Sequence, residues 1–209
     1  MNYTELKDNI QDICETTFTD AQLAMFTEQA EQKIYNTVQI PALRKNSTGN
    51  TTNGTQYLST PSDFLYAYSL AVVDGDGDYQ YLLNKDVNFI REAYPRSSSA
   101  GLPKHYAYFD DNTFLLGPTP DDSYTVELHY GYYPESIVTA GTTWLGDEFD
   151  SALLNGALIE AARFMKAEPD IISNYEKLYV QAIGLLKNLG DGKLREDAYR
   201  SGQFRVNVS

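Results

Sequence analysis

Asp74-Gly-Asp-Gly-Asp78 places three carboxylates at alternate positions, the way an EF-hand calcium loop opens. The rest of that loop fails, because its sharp-turn glycine position holds Tyr79 and its bidentate glutamate position holds Lys85. A tight hairpin turn built on Asp-Gly accounts for the same residues. His105 and His129 are the only histidines. Together with Glu127 they could in principle hold a metal, but their separation is not that of close ligands, so ordinary structural histidines are expected. Cys14, the single cysteine, lies in an amphipathic segment with no histidine near it in sequence. A buried, inert thiol is the expectation there, and no intramolecular disulfide can form. The chain has no Gly-x-Ser-x-Gly elbow, and Gly75 and Gly77 sit in an acidic turn that would repel phosphate. Carboxylates abound without any pair marked out as acid and base. Sequons at Asn2, Asn46, Asn50, Asn53 and Asn207 carry meaning only in a secreted chain. No catalytic, cofactor-binding or metal-binding residue is therefore assigned, no cofactor is expected, and the protein is read as a non-enzyme.

Composition narrows the partners. The chain has 209 residues, 42% hydrophobic and 13% aromatic, which suits a folded protein with a sizeable core. Tyrosine stands out, with 17 copies against one tryptophan, and such rings are enriched at interfaces that stay partly wet. A Tyr-rich β core accounts for them equally well. A net charge of −13 argues against binding the nucleic-acid backbone, yet an acidic wall would let DNA slide past without sticking. High acidic charge also serves plain solubility, which is its commoner role. Met1-Asn-Tyr-Thr-Glu5 has neither a basic n-region nor an apolar h-region, so no signal peptide is expected. No apolar run reaches the roughly 20 residues that cross a bilayer. A chain made in a cytoplasm, soluble and without a membrane partner, is the expectation.

Hydrophobic spacing supplies the elements that must carry these residues. Leu6, Ile10, Ile13 and Cys14 repeat helically over residues 3–15. Thr19 with Gln22 predicts a capping box for a second helix to about Tyr35, striped by Leu23, Phe26, Ala30 and Ile34. From Thr37 the pattern becomes short strands between turns. Residues 46–55 read as an exposed loop, Gln56–Ser59 as a strand, and Phe64–Val73 as a strand whose hairpin partner is Tyr79–Leu83. A short helix follows at Lys85–Glu92 with Asn84 as cap, then strands at His105–Phe109, Thr113–Leu116 and Tyr124–Tyr132. Asp147 or Asp150 caps a third helix whose small residues Ala152, Gly156 and Ala162 allow close packing. A fourth, entered at Pro169, runs from Ile171 to near Gly190. No internal repeat and no coiled-coil heptad is evident.

The predicted fold is α+β. Helical segments 1–36 and 144–190 pair as a four-helix bundle, because the apolar stripes at both ends need each other for burial. Residues 37–143 form an inserted antiparallel β module, so that 1–190 is one domain. Residues 191–209 form an extended C-terminal tail. In an acidic chain that tail is locally basic, with Lys193, Arg195, Arg200 and Arg205, and it ends in alternating Phe204, Val206 and Val208. It reads either as a frayed terminus or as a docking arm that orders on a partner, adding a strand.

One stretch resembles a known family. Leu102-Pro-Lys-His-Tyr-Ala-Tyr108, Leu115-Leu-Gly-Pro-Thr-Pro120, Val126-Glu-Leu-His-Tyr130, the Tyr-Tyr-Pro turn at 132–134 and Thr142-Thr-Trp-Leu145 precede two long helices. Their order over residues 100–190 resembles that of the bacteriophage head-to-tail adaptor (connector) proteins. The resemblance implies a non-enzymatic virion protein of the neck, made in the host bacterium, with copies in a ring, usually of twelve, below the portal protein. It implies that double-stranded DNA passes through the channel without specific binding, and that a downstream tail or nozzle protein lies beyond. The portal-binding arm would use Arg195, Tyr199, Arg200, Phe204, Arg205, Val206 and Val208, while Tyr130, Tyr132, Tyr133 and Trp144 would serve ring or tail contacts. Alternative readings are a tail completion or tail-tube ring protein, a carbohydrate-binding module on the aromatic β module, and a carboxylate-dependent hydrolase.

Overall fold

The computed structural model describes residues 1–96 and 98–194. The chain divides into two compact units, one of Met1–Ala42 with the stretch from Pro134 onward, the other of Leu43–Tyr133. The elements begin with helices α1 (Tyr3–Cys14) and α2 (Asp20–Thr37). Strands β1 (Arg44–Asn50), β2 (Tyr57–Ser59), β3 (Tyr66–Val73), β4 (Tyr79–Tyr81) and β5 (Leu83–Asn84) follow. Helix α3 (Val87–Ala93) precedes β6 (His105–Asp110), β7 (Thr113–Gly117) and β8 (Thr125–Gly131). The chain then turns through α4 (Ile137–Ala140) and α5 (Trp144–Glu148) into α6 (Asp150–Phe164) and α7 (Pro169–Leu194). It is a mixed α+β protein with two sheets, rich in antiparallel pairs.

In the helical unit, α6 packs against α1, α2 and α7. Its Ala152, Leu153, Gly156, Ala157, Leu158 and Ile159 are all buried, as are Leu6 and Ile10 of α1, Leu23 and Phe26 of α2, and Ile183 and Leu186 of α7. Both N-terminal helices start as their sequences require. The backbone N–H groups of Asn2 and Glu5 each donate to the other's side chain at 2.9 Å, and those of Thr19 and Gln22 do so at 2.8 and 3.3 Å, as predicted. Gly156 sits where helices touch: a Cβ there would lie 3.0 Å from the Cβ of Ala30 and 3.3 Å from the ring of Tyr179. Phe18 meets Phe26 and Phe164 edge to face, and Phe26 lies tilted against Phe164, closing one part of this core.

Several boundaries differ from expectation. Asp147 lies inside α5, which Thr143 caps, and α6 starts at Asp150 without a side-chain cap. Helix α7 runs on to Leu194 rather than stopping near Gly190. Gly190 is there for close approach, since a Cβ would sit 2.6 Å from the carbonyl oxygen of Gln39. Residues 191–194 thus belong to the helix. Residues 137–140, expected in the β module, form the short helix α4, and residues 144–148, expected within the third helical segment, form a separate short helix α5.

The β unit is a sandwich of sheets ordered β1-β8-β3-β4 and β2-β7-β6-β5. Leu70, Val72, Phe114, Leu116, Val126 and Leu128 meet between them. On the outer side of the second sheet, Ile90 of α3 covers Ala107 and Leu115. Residues 44–50, expected largely as loop, form an edge strand in register with β8, Ser47 opposite Leu128 and Gly49 opposite Val126. Their turn-like composition is tolerated because β8 supplies the backbone partners. The unit is not wholly antiparallel: β5 pairs parallel with β6, since the chain changes sheets through buried Leu82 and does not extend the β3–β4 hairpin. Asp86, not Asn84, caps α3. The Asp74 turn is the predicted hairpin: its carboxylate accepts from the backbone of Asp76 and Asp78, and Gly77 takes φ 90°.

Glu31 of α2 is a buried carboxylate, 3% exposed, and its Oε1 accepts the Ile137 N–H at 2.9 Å where α4 begins. No cation pairs with it among the described residues, and burial raises its pKa above the ordinary glutamate value, outweighing the hydrogen bonds from Ile137 and Ser136. A raised pKa means the folded state holds the proton more tightly, so this contribution is fully present below the unfolded pKa and is lost as pH rises through the folded one. Urea unfolding below and above the ordinary glutamate range checks this: Glu31→Gln should flatten the loss of stability as pH rises. Glu31→Ala, which orphans the Ile137 amide, should cost about 1–3 kcal/mol at either pH.

Candidate functional site

The outer face of the β1-β8-β3-β4 sheet gathers the exposed tyrosines, through a register shift. Strict alternation along β3 would put Tyr66 and Tyr68 on the same side as core residues Leu70 and Val72. A bulge between Ala67 and Ser69 resets the phase, so that Ala67 and Leu70 both face the core and the two tyrosines face outward. Their hydroxyls are 3.0 Å apart. The Arg44 guanidinium lies over the Tyr68 ring at 4.2 Å, and the His129 ring meets the same tyrosine at 5.2 Å, edge to face. Further along, Glu127 accepts from the Tyr79 hydroxyl at 3.1 Å and from the Asn46 amide at 3.3 Å. Tyr68-directed hydrogen bonding, aided by desolvation, pushes Tyr66 up to about 12. Glu127 raises Tyr79 by the same kind of bond. The face offers hydroxyls, one guanidinium and flat rings, groups enriched where proteins contact proteins.

The four aromatics expected at ring or tail contacts separate in the structure. Tyr130 is 1% exposed and belongs to the sandwich core, its hydroxyl donating to Asp63 at 2.8 Å. Alternation explains the correction, because Tyr130 falls in phase with Val126 and Leu128 on β8. Asp63 also binds Lys45 Nζ at 2.7 Å, which holds its carboxyl below the usual aspartate range, and Lys45 reaches the Tyr132 ring at 5.2 Å. Tyr132 is half-buried beside that core, and Tyr133 is exposed. Trp144 opens α5 next to a cavity of about 130 Å³ lined by Ile40, Pro41, Ala42, Glu148 and Leu189. Its indole N–H is buried without a partner among the described residues. The predicted portal-binding residues, Arg195, Tyr199, Arg200, Phe204, Arg205, Val206 and Val208, lie outside the described residues.

The residues weighed for chemistry also separate. His105 on β6 stands 3.1 Å from the Tyr94 hydroxyl and against Phe89, while His129 packs on Tyr68 from β8. Burial, ahead of Lys85 and Lys104, lowers the His105 pKa, and burial raises that of Cys14. Among the described residues no group of three His, Cys, Asp or Glu side chains converges as a metal site. No helix of the described residues is long and apolar enough to cross a membrane. What sequence reasoning missed is the Arg44–Tyr66–Tyr68 group. The Tyr-x-Tyr spacing was visible, but the bulge that turns it outward was not.

A family model described as SU10 adaptor protein matches residues 1–206, and the chain belongs to that family. It is accordingly a phage adaptor protein, a component of the virion. No curated protein matches the chain.

Tyr68→Phe should return Tyr66 toward the ordinary tyrosine range near 10, because the bond to Tyr68 is the largest cause of its shift. An ultraviolet pH titration compared with wild type reads this directly, and an unmoved late-titrating tyrosine would contradict the assignment.

Proposed function

We propose that this protein is a non-enzymatic head-to-tail adaptor: copies form a ring, of twelve in the simplest case, beneath the portal protein in the virion neck. The ring joins the capsid to a downstream tail or nozzle protein and continues the DNA channel. The observation that carries this reading is the family match over residues 1–206. In this reading α1, α2, α6 and α7 act as a four-helix bundle that builds the ring wall. The β unit meets neighbouring copies or the next tail component through Tyr132, Tyr133 and the Arg44–Tyr68 face, with Trp144 serving the ring from the helical side. The net charge of −13 lets double-stranded DNA pass without specific binding. The tail from Arg195 to Val208, basic and aromatic, docks on the portal.

Helix α7 supports contact between copies. Ile171, Leu178 and Leu185 are exposed at seven-residue intervals, with Asn174, Gln181 and Asn188 three places after each. These six share one side of the helix and carry no charge, which suits helix-to-helix packing.

Electron microscopy of the purified chain mixed with the portal ring tests the proposal: an added ring of density with the portal's symmetry is expected, and bare portal rings would redirect the reading to a tail-side ring. Deleting residues 195–209 should abolish portal binding while circular dichroism and Tm stay unchanged. Replacing Leu178 and Leu185 together by Glu should prevent ring closure. Because both side chains are exposed, stability should change by no more than about 0.5 kcal/mol per site, read by thermal melting.

A further inference from the structure

The β unit has a gap on one side. β1 is the last strand of one sheet and β2 the last of the other, and neither has a further strand beside it among the described residues. On the opposite side the two sheets are tied together. There β4 passes through Leu82 into β5, with the Leu82 N–H donating to the Leu70 carbonyl and the Leu83 N–H to that of Lys104. Between β1 and β2 lies a cavity of about 230 Å³ whose floor is the sandwich core itself, Leu70, Phe114, Val126 and Leu128.

The gap is open because of what β1 places toward the core. Ser47 and Gly49 pair with Leu128 and Val126, so they share the inward face, and both are too small to cover it. Ser59, Thr60 and Pro61 form the other wall. The Thr60 hydroxyl is buried without a partner among the described residues. No side chain lining the cavity is charged, in a chain of net charge −13. An apolar floor, two unpaired strand edges and an uncharged rim are what an extended strand would complete.

We propose that this gap is a strand-acceptor site. An uncharged, extended segment of another virion protein, with apolar residues at alternate positions, pairs along β1 or β2 and sets one bulky apolar side chain into the cavity. The walls are three to four residues long, so a segment of about five residues, at ~3.3 Å each, spans them. The charge-free rim excludes a basic or acidic peptide as the natural occupant, since its ionised side chains would be desolvated without partners. The source of the strand rests on the adaptor reading, in which residues 195–209 are engaged by the portal.

The test uses assembled particles carrying a benzophenone amino acid in place of Ser59, an exposed residue of β2 on the cavity rim. After irradiation, the cross-linked peptide is sequenced by mass spectrometry. The expected partner is one segment of a different virion protein, uncharged and alternately apolar. Adding Gly49→Phe should reduce that cross-link to background while the chain still enters particles. A Cβ at Gly49 meets only Val126 Cγ2, at 3.5 Å, so the ring fills the cavity without displacing backbone. Should that variant misfold, Ser47→Leu fills the same space from the neighbouring inward position. The proposal is overturned by particles that contain the chain but give no cross-link, which leaves the adaptor reading intact. It is equally overturned by a cross-link to residues 195–209 of a second copy, to a charged segment, or to one that Gly49→Phe and Ser47→Leu leave unchanged. Particles from which the chain is missing would overturn both readings.

Discussion

Helix α6 is buried almost all the way round, and that requirement organises the helical unit. A helix with one apolar stripe needs one neighbour, whereas a helix that buries Ala152, Leu153, Gly156, Ala157, Leu158, Ile159, Ala161 and Ala162 must be enclosed. Its small residues set the distance of approach, and Gly156 marks the tightest point, between Ala30 and Tyr179. The partners come from both ends of the described chain, α1 and α2 on one side and α7 on the other. The long excursion between α2 and α4 then has to fold by itself. It does so as a sandwich with its own core, which is why the chain parts into two units.

Much of this was legible because the signals are local. The capping box at Thr19, helical stripes, Pro169 at the start of α7 and the Asp-Gly hairpin each depend on residues a few places apart. What escaped depends on distant partners. Residues 44–50 carry no strand-forming composition and become β1 only because β8 stands beside them. Gly190 reads as a helix stop, yet it lies inside α7 because Gln39 and Ile40 press against it. The parallel β5–β6 pair follows from a change of sheets at Leu82 that no local pattern announces.

The candidate surfaces were legible in type but not in place. An excess of tyrosine pointed to contact faces, but choosing which tyrosines required strand phase and register. Tyr130 looked like its neighbours Tyr132 and Tyr133, but alternation on β8 commits it to the core, where Asp63 satisfies its hydroxyl. Strict alternation with Leu70 and Val72 would put Tyr66 and Tyr68 in the core, and a single extra residue reverses them. One bulge therefore moves two aromatic rings from a core to a surface, a change in function that composition cannot register.

Acidity constrains where such a chain can be touched. Copies that each carry −13 repel one another, but at physiological salt the repulsion between exposed charges is screened beyond about 8 Å. Within that distance, contact is favourable only where carboxylates are absent or already paired. The structure has surfaces of this kind: the Ile171–Leu178–Leu185 row, the cavity between β1 and β2, and the tyrosine face, where Glu127 is held by Tyr79 and Asn46. On the last, Arg44 lies over Tyr68 and leaves a guanidinium available for a partner's carboxylate or carbonyl. Charge spread over the remaining surface then acts in the other direction, discouraging approach in any register that brings two acidic faces together. In the proposed ring, neutral patches give adhesion and acidic surroundings give orientation, so the same composition that keeps free copies apart also restricts how they assemble.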